Sequence, residues 1–262
     1  SIDNRQSTFG NSSFSLIELL ASMAILVIIV LVSSMLFSNS ESMRSAGKGK
    51  SDVNSAGRAA MQIISEDLKT AVVDDMLTMC ARLDRDPANS IYSKEAFELS
   101  FVTMKSDSAD SNRCATEAFY WSSTNGIYGY SLMRGDRIVT NLYNTNTPWN
   151  CYWNKEWYED PSTGGGRPAS PVRVAANVSY FRAGIYDASN NLFNSTNYVS
   201  WSTAYSNIMP AYADIFLELI DDDTAKKVND MRTRGLTNWT DLLENNAVRF
   251  STRVYFQNTE GY

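Results

Sequence analysis

The stretch that decides the fold is FSLIELLASMAILVIIVLVSSMLF, residues 14–37. No charged residue occurs from Leu19 to Ser40, and neither glycine nor proline occurs from Asn11 to Ala46. Nothing in this part of the sequence therefore interrupts a helix. About 20 apolar residues that rise ~1.5 Å each cross a hydrocarbon core ~30 Å thick. The stretch predicts a membrane-spanning helix.

Glu18 is the one acidic residue within this apolar stretch. A carboxylate at the entry of a bilayer segment costs a few kcal/mol unless it is protonated or paired, so an intramembrane acid is by default a functional hypothesis. The alternative is that Glu18 lies at the level of the lipid headgroups and is simply hydrated.

FSLIELL, residues 14–20, resembles the N-terminal signature of type IV prepilins and type II secretion pseudopilins. The resemblance implies that a membrane-embedded prepilin peptidase cuts between Ser13 and Phe14 and methylates the new amine. Phe14 would then be the mature N-terminus and Glu18 the fifth residue. Its carboxylate would meet the ammonium group of a neighbouring subunit's Phe14, which offsets desolvation only when two subunits are in register. Glu18 would thus act as an assembly checkpoint.

Residues 1–13 are polar and turn-like, and we interpret them as a leader segment. The family usually has Gly, less often Ala, before the cut, whereas this chain has Ser13, with Gly10 three residues too early. Ser is also small, which is compatible with processing. Because the chain starts with Ser, we expect that its numbering begins inside a longer precursor.

The charges that flank the apolar stretch favour the opposite topology to the resemblance. Only Arg5 precedes the stretch, and four basic residues follow it, namely Arg44, Lys48, Lys50 and Arg58. The positive-inside rule would place the C-terminal part in the cytoplasm. The resemblance instead implies a single-pass inner-membrane protein with an extracytoplasmic head, which enters a periplasmic or cell-surface filament. We follow the resemblance.

Composition excludes several classes of function. The chain has 262 residues, a net charge of −6 and no histidine. Ser-His-Asp catalysis and His-ligated zinc are therefore excluded, and an acidic chain without a basic stripe is not expected to bind nucleic acid. The acids at Asp107, Asp110 and 221–223 lack calcium-loop spacing, and no nucleotide-binding loop occurs. We predict no metal, no cofactor and no enzymatic activity.

The three cysteines are Cys80, Cys114 and Cys151. Cys114 and Cys151 lie in polar, loop-like sequence, so they are the candidate disulfide in an oxidising compartment, whereas Cys80 lies on a predicted apolar helical face. Three buried or free thiols are the alternative.

Residues 38–58 contain Gly47, Gly49 and Gly57, and each glycine costs a helix ~1 kcal/mol relative to alanine. This predicts a kink or local melting of the helix, or alternatively a flexible linker. Apolar residues at three- and four-residue steps then predict an amphipathic helix that ends before Pro87, with Arg58, Glu66 and Asp67 among the charges on its outer face. We assign the kink and the amphipathic half of the helix to residues 38–86.

A β-rich head is predicted for residues 87–262. The predicted strands cover residues 97–102, 117–121, 126–133, 138–139, 172–186, 192–193, 213–220 and 248–256. A turn is expected at residues 134–136, a hairpin turn at 187–191, and a helix capped by residues 221–223 after the seventh strand. A long N-terminal helix, membrane-spanning over 14–37 and amphipathic below, packed on an antiparallel sheet is an α+β fold.

The order of these elements is most similar to the larger minor pseudopilins, the J type of type II secretion. NAVRFSTRVYFQN, residues 246–258, also resembles pilin-like proteins of multi-gene cassettes in Verrucomicrobia-type bacteria, more loosely. Both resemblances imply a structural subunit whose partners are other pilin or pseudopilin subunits, in a filament of one or more kinds of chain.

One loop is dense in aromatic residues, which are Trp149, Tyr152, Trp153, Trp157 and Tyr158. Large rigid rings on a loop can form a recognition surface for a subunit or a glycan, or they can fold back and bury themselves over the sheet. The loop therefore supports an alternative function, that of a membrane-tethered extracytoplasmic protein that binds a glycan or protein.

Overall fold

The computed structural model describes residues 15–72, 79–83, 97–106, 113–124, 129–138, 168, 170–192, 199–200 and 210–257. The chain divides into two compact units, residues 1–48 and residues 49–262.

The first helix, α1, extends over Leu16–Lys69, which is 54 residues. It is continuous through Gly47, Gly49 and Gly57, so these residues are helical and form neither a melted segment nor a flexible linker. The kink stays a prediction. Once a helix has formed, each further residue adds one hydrogen bond. This cooperativity compensates the low helix propensity of isolated glycines.

The helix also ends earlier than predicted. After Lys69 the chain becomes extended, because Ala71 forms an antiparallel bridge with Thr103 and the amide of Val72 donates to Val102 O at 2.8 Å. Pairing with the sheet thus replaces the next helical turn. Cys80, expected on a helical face, begins a strand instead.

The head contains one antiparallel sheet. In the described part of the chain its strands are β1 (Cys80–Leu83), β2 (Phe97–Ser106), β3 (Arg113–Ser123), β4 (Tyr130–Ile138), β5 (Val172–Asp187), β6 (Val199–Ser200), β7 (Pro210–Leu219) and β8 (Val248–Tyr255). Two helices, α2 (Asp222–Thr233) and α3 (Trp239–Asn246), lie between β7 and β8. The strand order is β6-β1-β2-β3-β4-β5-β7-β8, and every neighbouring pair is antiparallel. A long helix and an antiparallel sheet confirm the α+β class.

Strand β4 corrects the turn predicted at Arg134-Gly135-Asp136. The strand continues through all three residues, and Gly135 pairs with Phe119 of β3. The extended backbone places the side chain of Arg134 on the face of the sheet that α1 covers, where it donates a hydrogen bond to Asp67. Gly135 in turn leaves room for Pro168, whose side chain a Cβ would meet at 2.7 Å.

Two local predictions are confirmed. Asp221 caps α2, since its carboxylate accepts from the amide of Thr224 at 2.8 Å. After β5 the chain turns at Asp187, whose carboxylate accepts from the amides of Ser189 and Asn191 at 2.8 and 2.7 Å. This network of hydrogen bonds holds the pKa of Asp187 below its usual value, chiefly through Asn191.

The core of the head lies between the Gly49–Lys69 part of α1 and one face of the sheet. The helix contributes a stripe of buried residues, Val53, Gly57, Ala60, Met61, Ile64 and Leu68. From the sheet come Leu99, Phe101, Tyr120, Leu132, Phe181, Ile185, Ile215 and Leu217. The predicted amphipathic helix is therefore correct over this part, except that Ala56 and Ile63 are exposed.

Gly57 is a packing residue. A Cβ at this position would lie 2.2 Å from two ring carbons of Phe250 on β8. The ring therefore rests directly on the helix backbone, an approach that only glycine permits.

Replacing Gly57 with alanine should lower the free energy of unfolding by about 1–3 kcal/mol, because the new methyl group overpacks the contact with Phe250. Gly47→Ala is the matched control, since a Cβ at Gly47 meets no atom within 4 Å. The control should gain up to ~1 kcal/mol of helix stability. Urea unfolding of the full chain in detergent, followed by near-ultraviolet circular dichroism, measures both. Equal stability of the two variants would contradict the packing role.

Candidate functional site

The first turn of α1 is held by a reciprocal pair of hydrogen bonds. The amide of Ser15 donates to Glu18 Oε2 at 3.0 Å, and the amide of Glu18 donates to Ser15 Oγ at 3.3 Å. This is a capping box, in which a serine and a glutamate three residues later satisfy amides that the helix leaves without partners. The negative charge also lies at the positive end of the helix dipole.

The capping box gives Glu18 a role that sequence reasoning missed. Its signal was present, since Ser15-Leu16-Ile17-Glu18 matches the Ser-x-x-Glu pattern. The predicted partner, a neighbouring Phe14 amine, belongs to another copy, and Phe14 lies outside the described residues. Within one chain, the carboxylate of Glu18 therefore has a local partner.

The apolar part of α1 exposes its side chains on every side. Leu16, Val32 and Phe37 are 80%, 52% and 78% exposed, and the other large apolar residues between Leu16 and Phe37 fall in this range. A helix that is apolar all round needs an apolar environment, either a membrane or a protein core. Within the described residues, α1 is the one helix long and apolar enough to cross a membrane.

Several predicted site residues lie outside the described part of the chain. They are Ser13, Phe14, Trp149, Cys151, Tyr152, Trp153, Trp157 and Tyr158. The backbone of Cys114 belongs to β3, opposite Lys105 of β2, so this cysteine is on a strand rather than in a loop. The Cys114–Cys151 disulfide stays a prediction.

A polar cluster within the head joins α1 to the sheet. The Tyr120 hydroxyl donates to Asp67 Oδ2 at 2.6 Å, and Arg134 Nε donates to the same oxygen at 2.8 Å. The side chains of Asp67 and Arg134 are 11% and 18% exposed. Asp67 was expected on the charged outer face of the helix, and that assignment is wrong. Its carboxylate instead points into the sheet, where a hydroxyl and a guanidinium compensate its burial.

The same junction includes Thr103 of β2. Its hydroxyl lies 2.5 Å from the hydroxyl of Thr70 and 3.1 Å from the carbonyl oxygen of that residue. The last turn of α1 is therefore bonded to β2, β3 and β4 through side chains from three strands. Such a junction positions the helix on the sheet.

The electrostatics of this cluster set the protonation state of Tyr120. Burial, together with the charge of Asp67, strongly raises the pKa of Tyr120, so the phenol stays protonated and acts as a donor. Within the described residues, no group of three or more Cys, Asp or Glu side chains is placed to hold a metal ion.

No protein-family model matches the chain, and no characterised protein matches it in sequence. Its function is therefore inferred from the residues of α1 and from the fold of the head.

Tyr120→Phe should lower the free energy of unfolding near pH 8 by about 1–3 kcal/mol, because the carboxylate of Asp67 loses a buried donor. The pH dependence should change as well. An unfolded tyrosine releases its proton near pH 10, whereas folded Tyr120 keeps it, so this residue contributes stability below pH ~10 that falls by about 1.4 kcal/mol per pH unit above it.

Chemical denaturation at pH 8 and pH 11 tests both effects. The difference in stability between the wild type and Tyr120→Phe should narrow at pH 11, since the variant lacks this titration. Tyr255→Phe is the control, because Tyr255 is 63% exposed. A constant difference between the wild type and Tyr120→Phe across this range would contradict the assignment.

Proposed function

We propose that this chain is a structural subunit of a type IV pilus-like or type II secretion filament. The observation that supports it best is the composition of α1, whose first part is apolar on all sides and whose last part packs on an antiparallel sheet. The acid in the first turn and the resemblance of residues 14–20 to prepilins agree with this assignment.

In this proposal the apolar segment lies first in the inner membrane and then among the same segments of neighbouring subunits. Each environment removes the exposed side chains of Leu16–Phe37 from water, at about 25 cal/mol per Å² of apolar surface. Transfer from lipid to a filament therefore gains little from burial itself. Specificity must come from packing and from polar contacts between helices.

Glu18 supplies such a polar contact. In a single chain its carboxylate accepts from the Ser15 amide at 3.0 Å. A carboxylate has two oxygens and about four acceptor sites, so it can accept from this amide and from the ammonium group of a neighbouring Phe14 at once. The capping box would thus orient the carboxylate before the neighbour arrives.

Two substitutions separate the roles of Glu18. Glu18→Gln keeps the capping pattern, which accepts Glu or Gln, but removes the charge. Ser15→Ala removes the serine hydroxyl of the cap but keeps the charge. We expect Glu18→Gln to remain in membranes at wild-type level and to lose incorporation into sheared filaments at least ~10-fold, since the ammonium group is left without a charge partner.

Ser15→Ala should incorporate within about 5-fold of the wild type, because a cap contributes ~1 kcal/mol. Shear fractionation and membrane immunoblots measure both variants in the native host. Normal incorporation of Glu18→Gln would contradict the charge pairing, and loss in Ser15→Ala alone would assign Glu18 to capping.

A membrane-tethered binding protein is the second candidate. It is favoured by one observation, that the carboxylate of Glu18 already has a partner within its own chain. Mass spectrometry of the native N-terminus separates the candidates. A chain that begins at a methylated Phe14 supports the filament subunit, whereas an intact segment 1–13 on a monomeric protein supports the tethered binding protein.

A further inference from the structure

Among the described residues, strand β8 is an edge of the sheet, and it contains neither a bulge nor a proline. In the described part of the chain the strand order ends at β8, which pairs with β7 on one side. The eight pairs from Tyr212–Tyr255 to Leu219–Val248 are in unbroken register, without a bulge. Natural edge strands are often short, bulged, interrupted by proline or lined with charged side chains, because a regular edge can pair with another chain. Of these features, β8 has the charged side chains.

The backbone groups that face away from β7 can be assigned. The amide of Phe256 donates to Ala211 O at 3.0 Å, and the register of β7 and β8 extends directly to this pair. Hydrogen-bonded pairs alternate with non-bonded pairs in an antiparallel ladder. The even-numbered residues of β8 are therefore bonded to β7. The amides and carbonyls of the odd-numbered residues point outwards, and these are Arg249, Ser251, Arg253 and Tyr255.

The side chains of the same four residues are exposed on the face of the sheet opposite α1. Phe250, an even-numbered residue, points to the other face, where its ring meets Gly57. Each residue of β8 whose backbone groups point outwards thus also has an accessible side chain. Two of these residues are arginines, and they lie four positions apart.

Both arginines are held in place. Arg253 Nε and Nη2 donate to the two carboxylate oxygens of Asp214 at 2.7 and 2.8 Å, and its guanidinium lies 4.1 Å from the ring centre of Tyr212. Arg249 Nε donates to Glu218 at 2.9 Å, and its side chain is 66% exposed. A guanidinium has five N–H donors, so each arginine retains donors for a further carboxylate.

We propose that β8 accepts an extended acidic segment of another protein, which adds a ninth strand to the sheet. The outward amides and carbonyls supply the backbone hydrogen bonds, as in β-strand addition. Arg249 and Arg253 supply the selectivity, since carboxylates four residues apart on the partner would lie opposite both guanidinium groups.

A second copy of β8 is a poorer partner. Two copies of β8 could pair antiparallel with each side chain kept on its own face of the sheet. If this pairing is centred on Ser251, Arg249 of one copy lies opposite Arg253 of the other. If it is centred on Arg253, the Arg253 residues of the two copies lie opposite each other. Like charges directly opposite are destabilising. Centring on Thr252 avoids both clashes but provides no carboxylate. The charges of β8 therefore favour a foreign acidic strand.

The probe is a fluorescein-labelled nine-residue peptide of alternating valine and threonine, with two glutamates four positions apart on one face. Fluorescence anisotropy measures its binding to the full chain in lipid nanodiscs. The matched peptide has lysines in place of the glutamates and should bind at least ~10-fold more weakly, because it opposes charge with like charge.

Ser251→Pro tests the backbone contact. The amide of Ser251 points outwards, so proline removes an edge donor without breaking the ladder with β7. This variant should bind the acidic peptide at least ~10-fold more weakly, while Ser251→Ala, which keeps the amide, should bind it as the wild type does. Thermal unfolding of each variant confirms that the head is folded.

Arg249→Glu tests the charge, and it should reverse the preference so that the lysine peptide binds better. Equal binding of both peptides to the wild type, or unchanged binding by Ser251→Pro, would overturn the proposal. So would concentration-dependent dimers that Ser251→Pro abolishes, since they would make a second copy the occupant. None of these outcomes depends on filament entry, so the proposed function stands or falls separately.

Discussion

The packing of the Gly49–Lys69 part of α1 against the sheet is the constraint on which the head depends. The stripe from Val53 to Leu68 covers the inner face of the central strands, and without it Phe101, Phe181 and Ile215 would face water. At about 25 cal/mol per Å² of apolar surface, this burial is the main favourable contribution to folding. The buried hydrogen bonds from Tyr120 and Arg134 to Asp67 fix the position of the helix on the sheet, because they form in only one placement of the helix.

Sequence periodicity predicted the class of fold and most strands, since alternation and three- to four-residue steps are local signals. The strands β2, β5, β7 and β8 and the cap of α2 at Asp221 were found in this way. The two-residue strand β6 and the helix α3 were not predicted. Val199–Ser200 is too short to show a period, and its pairing with β1 bridges over one hundred positions of sequence.

The errors share a cause, which is that a distant partner overrides local preference. Asp67 is charged but lies against the sheet, where it pairs with Arg134. The sequence around Gly135 is typical of a turn, but the segment is a strand. The extended backbone allows Arg134 to form its ion pair with Asp67. At the candidate site, the prepilin-like motif predicted a partner for Glu18 in another subunit. The hydrogen bonds between Glu18 and Ser15 could have been predicted from their three-residue spacing alone.

The two exposed surfaces, Leu16–Phe37 and β8, are expected to respond to different conditions. The apolar helix surface is driven by the hydrophobic effect, which added salt does not screen. The charges of Arg249 and Arg253 on β8 act in water, where a Debye length of ~8 Å at physiological ionic strength limits them to close partners. An apolar surface therefore favours association with lipid or like helices regardless of charge, whereas the contact proposed for the β8 edge would discriminate between partners by charge. The two proposed contacts thus depend on different forces within the same chain.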